Sequence, residues 1–197
     1  MKTITKTLSK KNFRYLDKKE IKDPLSYLKN YFGDVTNIKY WSGDVKAFLQ
    51  SSLDKRLTMT GYPYVSIGQE LIKHIEIAYV IYRQARIKEV LHDFTALRSN
   101  QDRGKHHQKE RMYTPEEILY LFFKFQSLKQ WQNEIDWMTH KAFACWTGYE
   151  YEPGENAVVY YVYIVELIYA LYNIQKEGKL VLDVPFYVEL HSQNDVL

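Results

Sequence analysis

Cysteine occurs once in 197 residues, at position 145, so no intramolecular disulfide framework exists. A chain built this way fits a reducing compartment, and a cytoplasmic location is expected. Cys145 itself lies in the apolar run Phe143-Ala-Cys-Trp146, where desolvation raises a thiol's pKa and leaves it inert. Five prolines and eight glycines are few breakers for this length, which favours long regular elements. Met1 to Lys22 has no apolar run of the kind a signal peptide needs. Also missing are a Gly-rich phosphate loop, a Gly-x-Ser-x-Gly elbow and a His-Glu-x-x-His helix. No cofactor is implied.

What the chain has in quantity is tyrosine: eighteen residues, five of them between Ala157 and Ile174, a stretch with Glu166 as its one formal charge. Eighteen residues sit near the lower limit for crossing a bilayer. Five phenols and a mid-segment carboxylate would then need partners in hydrocarbon, at about 2.5–3.5 kcal/mol for the charge alone. The segment therefore reads as a buried helix of a soluble protein, with no membrane partner, Asn156 as its N-cap and Gly178 after its end. A strand over Val158–Val165 running into a helix is the alternative.

Elsewhere the apolar spacing is helical. Asp23-Pro24 opens a short helix that Gly33 closes. Ser42-Gly43 precedes a stripe of Val45, Phe48, Leu49, Ser52, Leu53, Arg56 and Leu57. Ser66, with Gln69 at the third helical position, is expected to cap a long helix reaching Leu97, with Leu71, Ile75, Ala78, Tyr82 and Ala85 along its seam. Thr114-Pro-Glu-Glu117 is a capping box with proline at the first position. One helix is expected from there through Ile118, Leu121, Phe125, Leu128, Ile135, Met138 and Ala142, with Gln132 polar in the series. Trp131, Trp137 and Trp146 read as packing residues. Leu180 to Leu190 alternates around Pro185, which allows at most an edge strand. The expectation is a mainly α-helical bundle, 23–197, preceded by a polar, basic arm, 1–22.

Charge is polarised along the chain. Residues 1–22 carry eight Lys or Arg against Asp17 and Glu20, and residues 150–197 carry eight Asp or Glu against Lys176 and Lys179. Such ends either make solvated surfaces or place a basic face towards an anionic partner. A second basic segment, Arg98 to Arg111, gathers Arg98, Arg103, Lys105, His106, His107, Lys109 and Arg111. These groups suit sequence-independent phosphate contacts, although Tyr113 is the only nearby aromatic for stacking. Three acid–histidine pairs, Glu70/His74, Glu89/His92 and Asp136/His140, stand at helical spacing and read as ordinary surface pairing. Glu89-Val-Leu-His92 also matches the Glu-x-x-His element of di-iron bundles, for which Glu166 would be a further ligand. Metal binding is thus an alternative reading.

Two family resemblances follow. Arg86 and His92, five residues apart, resemble the Arg-x4–6-His pattern of HEPN ribonucleases, helical bundles that act as dimers, and would imply an Arg/His pair at a scissile phosphodiester. Val165-Glu-Leu-Ile-Tyr-Ala-Leu-Tyr172, with Trp146-Thr-Gly148 upstream, resembles a signature of the RteC family of conjugative-transposon excision regulators. That resemblance implies a DNA-linked regulator with a winged-helix region and brings over no functional residue. The leading expectation is a non-enzymatic regulatory or accessory protein of a bacterial mobile element that contacts protein or nucleic acid. It is open to homo-oligomerisation.

Overall fold

The computed structural model describes residues 8–33, 35–53, 61–84, 113–144 and 157–177. Seven α-helices account for most of them, with no strand among the described residues, so the mainly α bundle expected from the sequence is the fold. The helices are α1 (Lys18–Lys22), α2 (Pro24–Phe32), α3 (Val35–Leu53), α4 (Tyr64–Gln84), α5 (Pro115–Phe125), α6 (Leu128–Ala144) and α7 (Ala157–Glu177). A 3-10 turn, Lys10–Asn12, precedes them. The expected edge strand at Leu180–Leu190 lies outside the described residues.

The caps form where local chemistry demands them. Asp17 and Glu20 make a reciprocal capping box on α1, and Asp23 accepts from the Ser26 amide to start α2 before Gly33 ends it. Thr114 and Glu117 form the box expected for α5. Two expected starts move. The α3 helix runs through Ser42 and Gly43 instead of beginning after them, because Ile38 and Trp41 extend its buried stripe one turn upstream. The α4 helix begins at Tyr64, ahead of Ser66, since the Pro63 carbonyl accepts from the Ile67 amide.

The largest departure is the single helix expected from Thr114 to Ala142. It breaks at Gln126-Ser127, where Gln126 is extended (φ −143°, ψ 147°). Ser127 caps the next helix, accepting from the Gln130 amide at 3.4 Å while the Gln130 side chain accepts from the Ser127 amide at 2.9 Å. Ser-Leu-Lys-Gln is a capping box inside an unbroken apolar rhythm. The corner is pinned by the Trp131 indole N–H, which donates to the Phe122 carbonyl at 3.0 Å.

With the chain turned there, α6 packs on α4 and α3, and α5 packs on α7. One core runs from Phe13 and Leu16 through Leu28, Phe48, Leu71, Ile75, Phe122 and Trp131 to Leu167 and Leu171. The α7 helix contributes Ile164, Leu167, Ile168, Leu171 and Ile174 to it. Its opposite face, Val158, Val159, Val162 and Tyr169, is exposed, so the tyrosine-rich helix is not buried all round. By length and composition Val158–Lys176 is apolar enough to cross a membrane, and a third of that window is buried in the bundle.

Helices α4 and α6 approach closely at Gly68. A Cβ on Gly68 would lie inside van der Waals contact of Thr139 Oγ1 and 3.2 Å from Thr139 Cβ, so only glycine permits this spacing. Gly68→Ala should therefore destabilise the protein by about 1–3 kcal/mol in urea unfolding. Adding Thr139→Ala, which removes the two nearest side-chain branches, should recover part of that loss.

Candidate functional site

Two buried polar centres sit on α4, two residues apart and so on different faces of the helix. The first is Glu76, fully buried in the apolar run Ile75-Glu-Ile-Ala78. Its carboxylate accepts three successive backbone N–H groups, from Arg14 at 2.6 Å, Tyr15 at 3.0 Å and Leu16 at 3.2 Å. The Gln132 side-chain amide on α6 donates a fourth bond at 2.7 Å. A buried carboxylate is tolerated only when its lone pairs are satisfied, and an ionised one has about four acceptor positions. All are used, so Glu76 has no capacity left for a substrate. Its work is to hold the N-terminal segment on the bundle.

The same segment is secured on both sides. The Arg14 guanidinium pairs with Asp136 and donates to Asn133 at 3.2 Å, both on α6. Phe13 and Leu16 are buried, Phe13 facing Tyr79. Lys73 bridges to Glu20 at 2.8 Å, and Gln84 donates to the Ile21 carbonyl at 2.9 Å. From Leu8 to Lys22 the expected basic arm thus lies docked across α4 and α6. Its five lysines at 10, 11, 18, 19 and 22 remain exposed.

The second centre is His74. The sequence pattern pairs it with Glu70 at the surface, but the structure buries the imidazole completely. Its ring is enclosed by Tyr31 at 4.4 Å, Trp41 at 5.2 Å, Phe32 at 5.4 Å and Tyr27 at 5.9 Å between centroids. Nδ1 lies 2.8 Å from the Glu70 carbonyl. A carbonyl can only accept, so the hydrogen is on Nδ1 and the lone pair on Nε2. Neither Nε2 nor the nearby Trp41 indole N–H has a hydrogen-bonding partner among the described residues. Burial pushes the His74 pKa down to about 4, against a smaller upward pull from Glu70. Glu70 itself accepts from the Tyr27 hydroxyl at 2.7 Å, and burial with that carboxylate raises the phenol's pKa.

A groove of about 260 Å³ lies between α4 and α6, with Val65, Ile72 and Phe143 as its apolar wall and Asp136 and His140 on its rim. It is smaller than ordinary ligand pockets, and Asp136 is engaged by Arg14 rather than by His140. Glu166 is exposed on α7 and does not line the groove. Among the described residues no three His, Cys, Asp or Glu side chains gather as a metal site. The Arg86/His92 pair, Glu89, Cys145, Trp146 and the basic residues Arg98, Arg103, Lys105, His106, His107, Lys109 and Arg111 lie outside the described residues. Trp131 is buried and stacked on Phe122, whereas Trp137 is exposed beneath the Lys141 ammonium.

Glu76, Arg14 and Trp41 are the residues that sequence reasoning passed over. A lone carboxylate between isoleucines, facing a lone glutamine among the apolar positions of another helix, was the available signal. No family model, curated protein or solved structure matches the chain.

Two outcomes follow from these centres. Glu76→Ala strands the buried N–H of Leu16 and the part-buried ones of Arg14 and Tyr15, and at about 1–3 kcal/mol for an unsatisfied buried donor it should cost about 2–4 kcal/mol. Limited trypsin digestion should then cut at Lys10, Lys11 and Arg14 well before the helices. The unfolded His74 ring takes up a proton from about pH 6.5 downward and the folded ring only near 4. The contribution of His74 to stability is therefore complete above pH 6.5 and declines as pH falls towards 4, by about 3 kcal/mol in all. Urea midpoints measured across that range on wild type and His74→Phe should converge in acid.

Proposed function

We propose that this protein is a non-enzymatic accessory or regulatory factor that binds an anionic partner, nucleic acid in the first instance, through its docked N-terminal segment. The supporting observation is the fixing of Leu8–Lys22 by Glu76. A basic tail that was merely solvated would not need three backbone hydrogen bonds to a buried carboxylate, with Phe13 and Leu16 packed into the core. Docking fixes the backbone that carries the exposed Lys10, Lys11, Lys18, Lys19 and Lys22. The two carboxylates of the segment are already engaged: Asp17 caps α1, and Glu20 pairs with Lys73 and the Asp17 amide. Such a surface offers point charges to phosphates and little base recognition, because no exposed aromatic platform other than Tyr15 accompanies it. Binding would then be sequence-tolerant. The resemblance of Val165–Tyr172 to RteC regulators supports extending this reading to a factor of a bacterial mobile element.

The test is fluorescence anisotropy with labelled duplex DNA and single-stranded RNA over a salt series. Binding near 50 mM salt should weaken linearly on a log–log plot, with a slope of about −0.9 for each duplex phosphate contacted. Replacing Lys10, Lys11, Lys18 and Lys19 by Gln should flatten the slope by about three while leaving the helical circular dichroism unchanged. Absence of any binding at low salt would remove nucleic acid as the partner.

A further inference from the structure

The aromatic enclosure of His74 has a property that the binding surface does not use. Three of its four rings, Tyr27, Tyr31 and Phe32, belong to α2, and the fourth, Trp41, to the first half of α3. Part of the packing that joins these two elements to the bundle converges on one neutral imidazole, and the rest lies on α6 and α7. Its Nε2, the atom that would take a proton, meets no described acceptor or donor. The α5–α6–α7 side is packed by different rings: Phe122 stacks on Trp131 at 4.1 Å and Phe125 on Tyr163 at 4.7 Å, and neither pair includes a ring of the enclosure.

We propose that His74 is a proton-operated latch, whose protonation at Nε2 releases α2 and the first half of α3 from α4 while the α5–α6–α7 side stays packed. The enclosed ring is sealed from water, so the proton is taken from solvent when the edge opens, and the resulting imidazolium resists reburial. The groups facing the ring are few. From α2 come the hydroxyls of Tyr27 and Tyr31, both with pKa values raised by burial and so neutral throughout. From α4 come the Glu70 carboxylate, 4.0 Å from Nδ1, and the Lys73 ammonium one residue before it. Among the described residues α3 brings no charge to the ring, and Asp44, a turn beyond Trp41, acts on Tyr31. On α7, Tyr172 touches Phe32, a ring of the enclosure. The ring meets these groups through geometry fixed by α2, α3 and α4, and its own proton is the one whose uptake opening permits.

Hydrogen–deuterium exchange followed by mass spectrometry on the full chain tests the latch, with rates corrected for the intrinsic pH dependence of amide exchange. The protection of α2 and of residues 38–48 should fall about tenfold per pH unit between pH 6 and 5, one proton being taken up on opening. Protection in α5 and α6 should stay level. The dependence should vanish in His74→Phe, or in His74→Gln if the first variant does not fold, and persist in His140→Gln. The proposal is overturned if the histidine variants keep the wild-type slope, if all helices lose protection in parallel, or if the His74 ring proton titrates with a midpoint near 6.5 in the closed protein.

Discussion

A carboxylate with no water to solvate it must find hydrogens, and at Glu76 that requirement organises the N-terminal third of the molecule. The side chain leaves α4 inside an apolar run and meets three consecutive amides of a chain that is neither helix nor strand at that point. Backbone N–H groups in succession make a concave partial positive charge, and an ionised acceptor makes each bond stronger than a neutral one would. Since Gln132 supplies the fourth donor, the same carboxylate also ties α4 to α6. Removing the carboxylate strands all four donors at once. The docking of Leu8–Lys22, the position of its lysines and the register of α4 against α6 are thus parts of one arrangement.

Aromatic packing supplies the rest of the cohesion. Phe122, Trp131, Phe125 and Tyr163 form a stacked group where α5, α6 and α7 meet, and Tyr79, Tyr82 and Phe123 link α4 to α5. Most of the described tyrosines place their rings at the core boundary. Several send the hydroxyl to a named acceptor: Tyr27 to Glu70, Tyr62 to Asp44 and Tyr64 to Ser51. This is the behaviour of a side chain with an apolar body and a polar tip.

The helical class, the caps at Asp23 and Thr114 and most of the buried stripes were legible because each is written within a few residues. Thr114-Pro-Glu-Glu117 specifies its own helix start, and Val45, Phe48, Leu49 and Ser52 are buried as their spacing requires. The break at Ser127 was hidden because the apolar rhythm continues across it and only the Ser-Leu-Lys-Gln box marks the turn. His74 was misplaced for a related reason: helical spacing pairs it with Glu70, whereas α2 and Trp41, distant in sequence, decide what covers it. Glu76 is the same case in stronger form, since its partners lie 60 to 62 residues upstream and 56 downstream. Local pattern shows that a carboxylate interrupts an apolar face; only the tertiary fold shows which amides need it.

The corner between α5 and α6 has an optical consequence. Trp131 is fully buried, lies flat against Phe122 and spends its indole hydrogen on a carbonyl across the break. Trp41, on the other side of the bundle, is held beside the His74 imidazole with its own indole hydrogen unbonded. The two buried indoles therefore occupy electronically different surroundings. Among the chain's four tryptophans, one of these two reports on the corner and the other on the histidine enclosure.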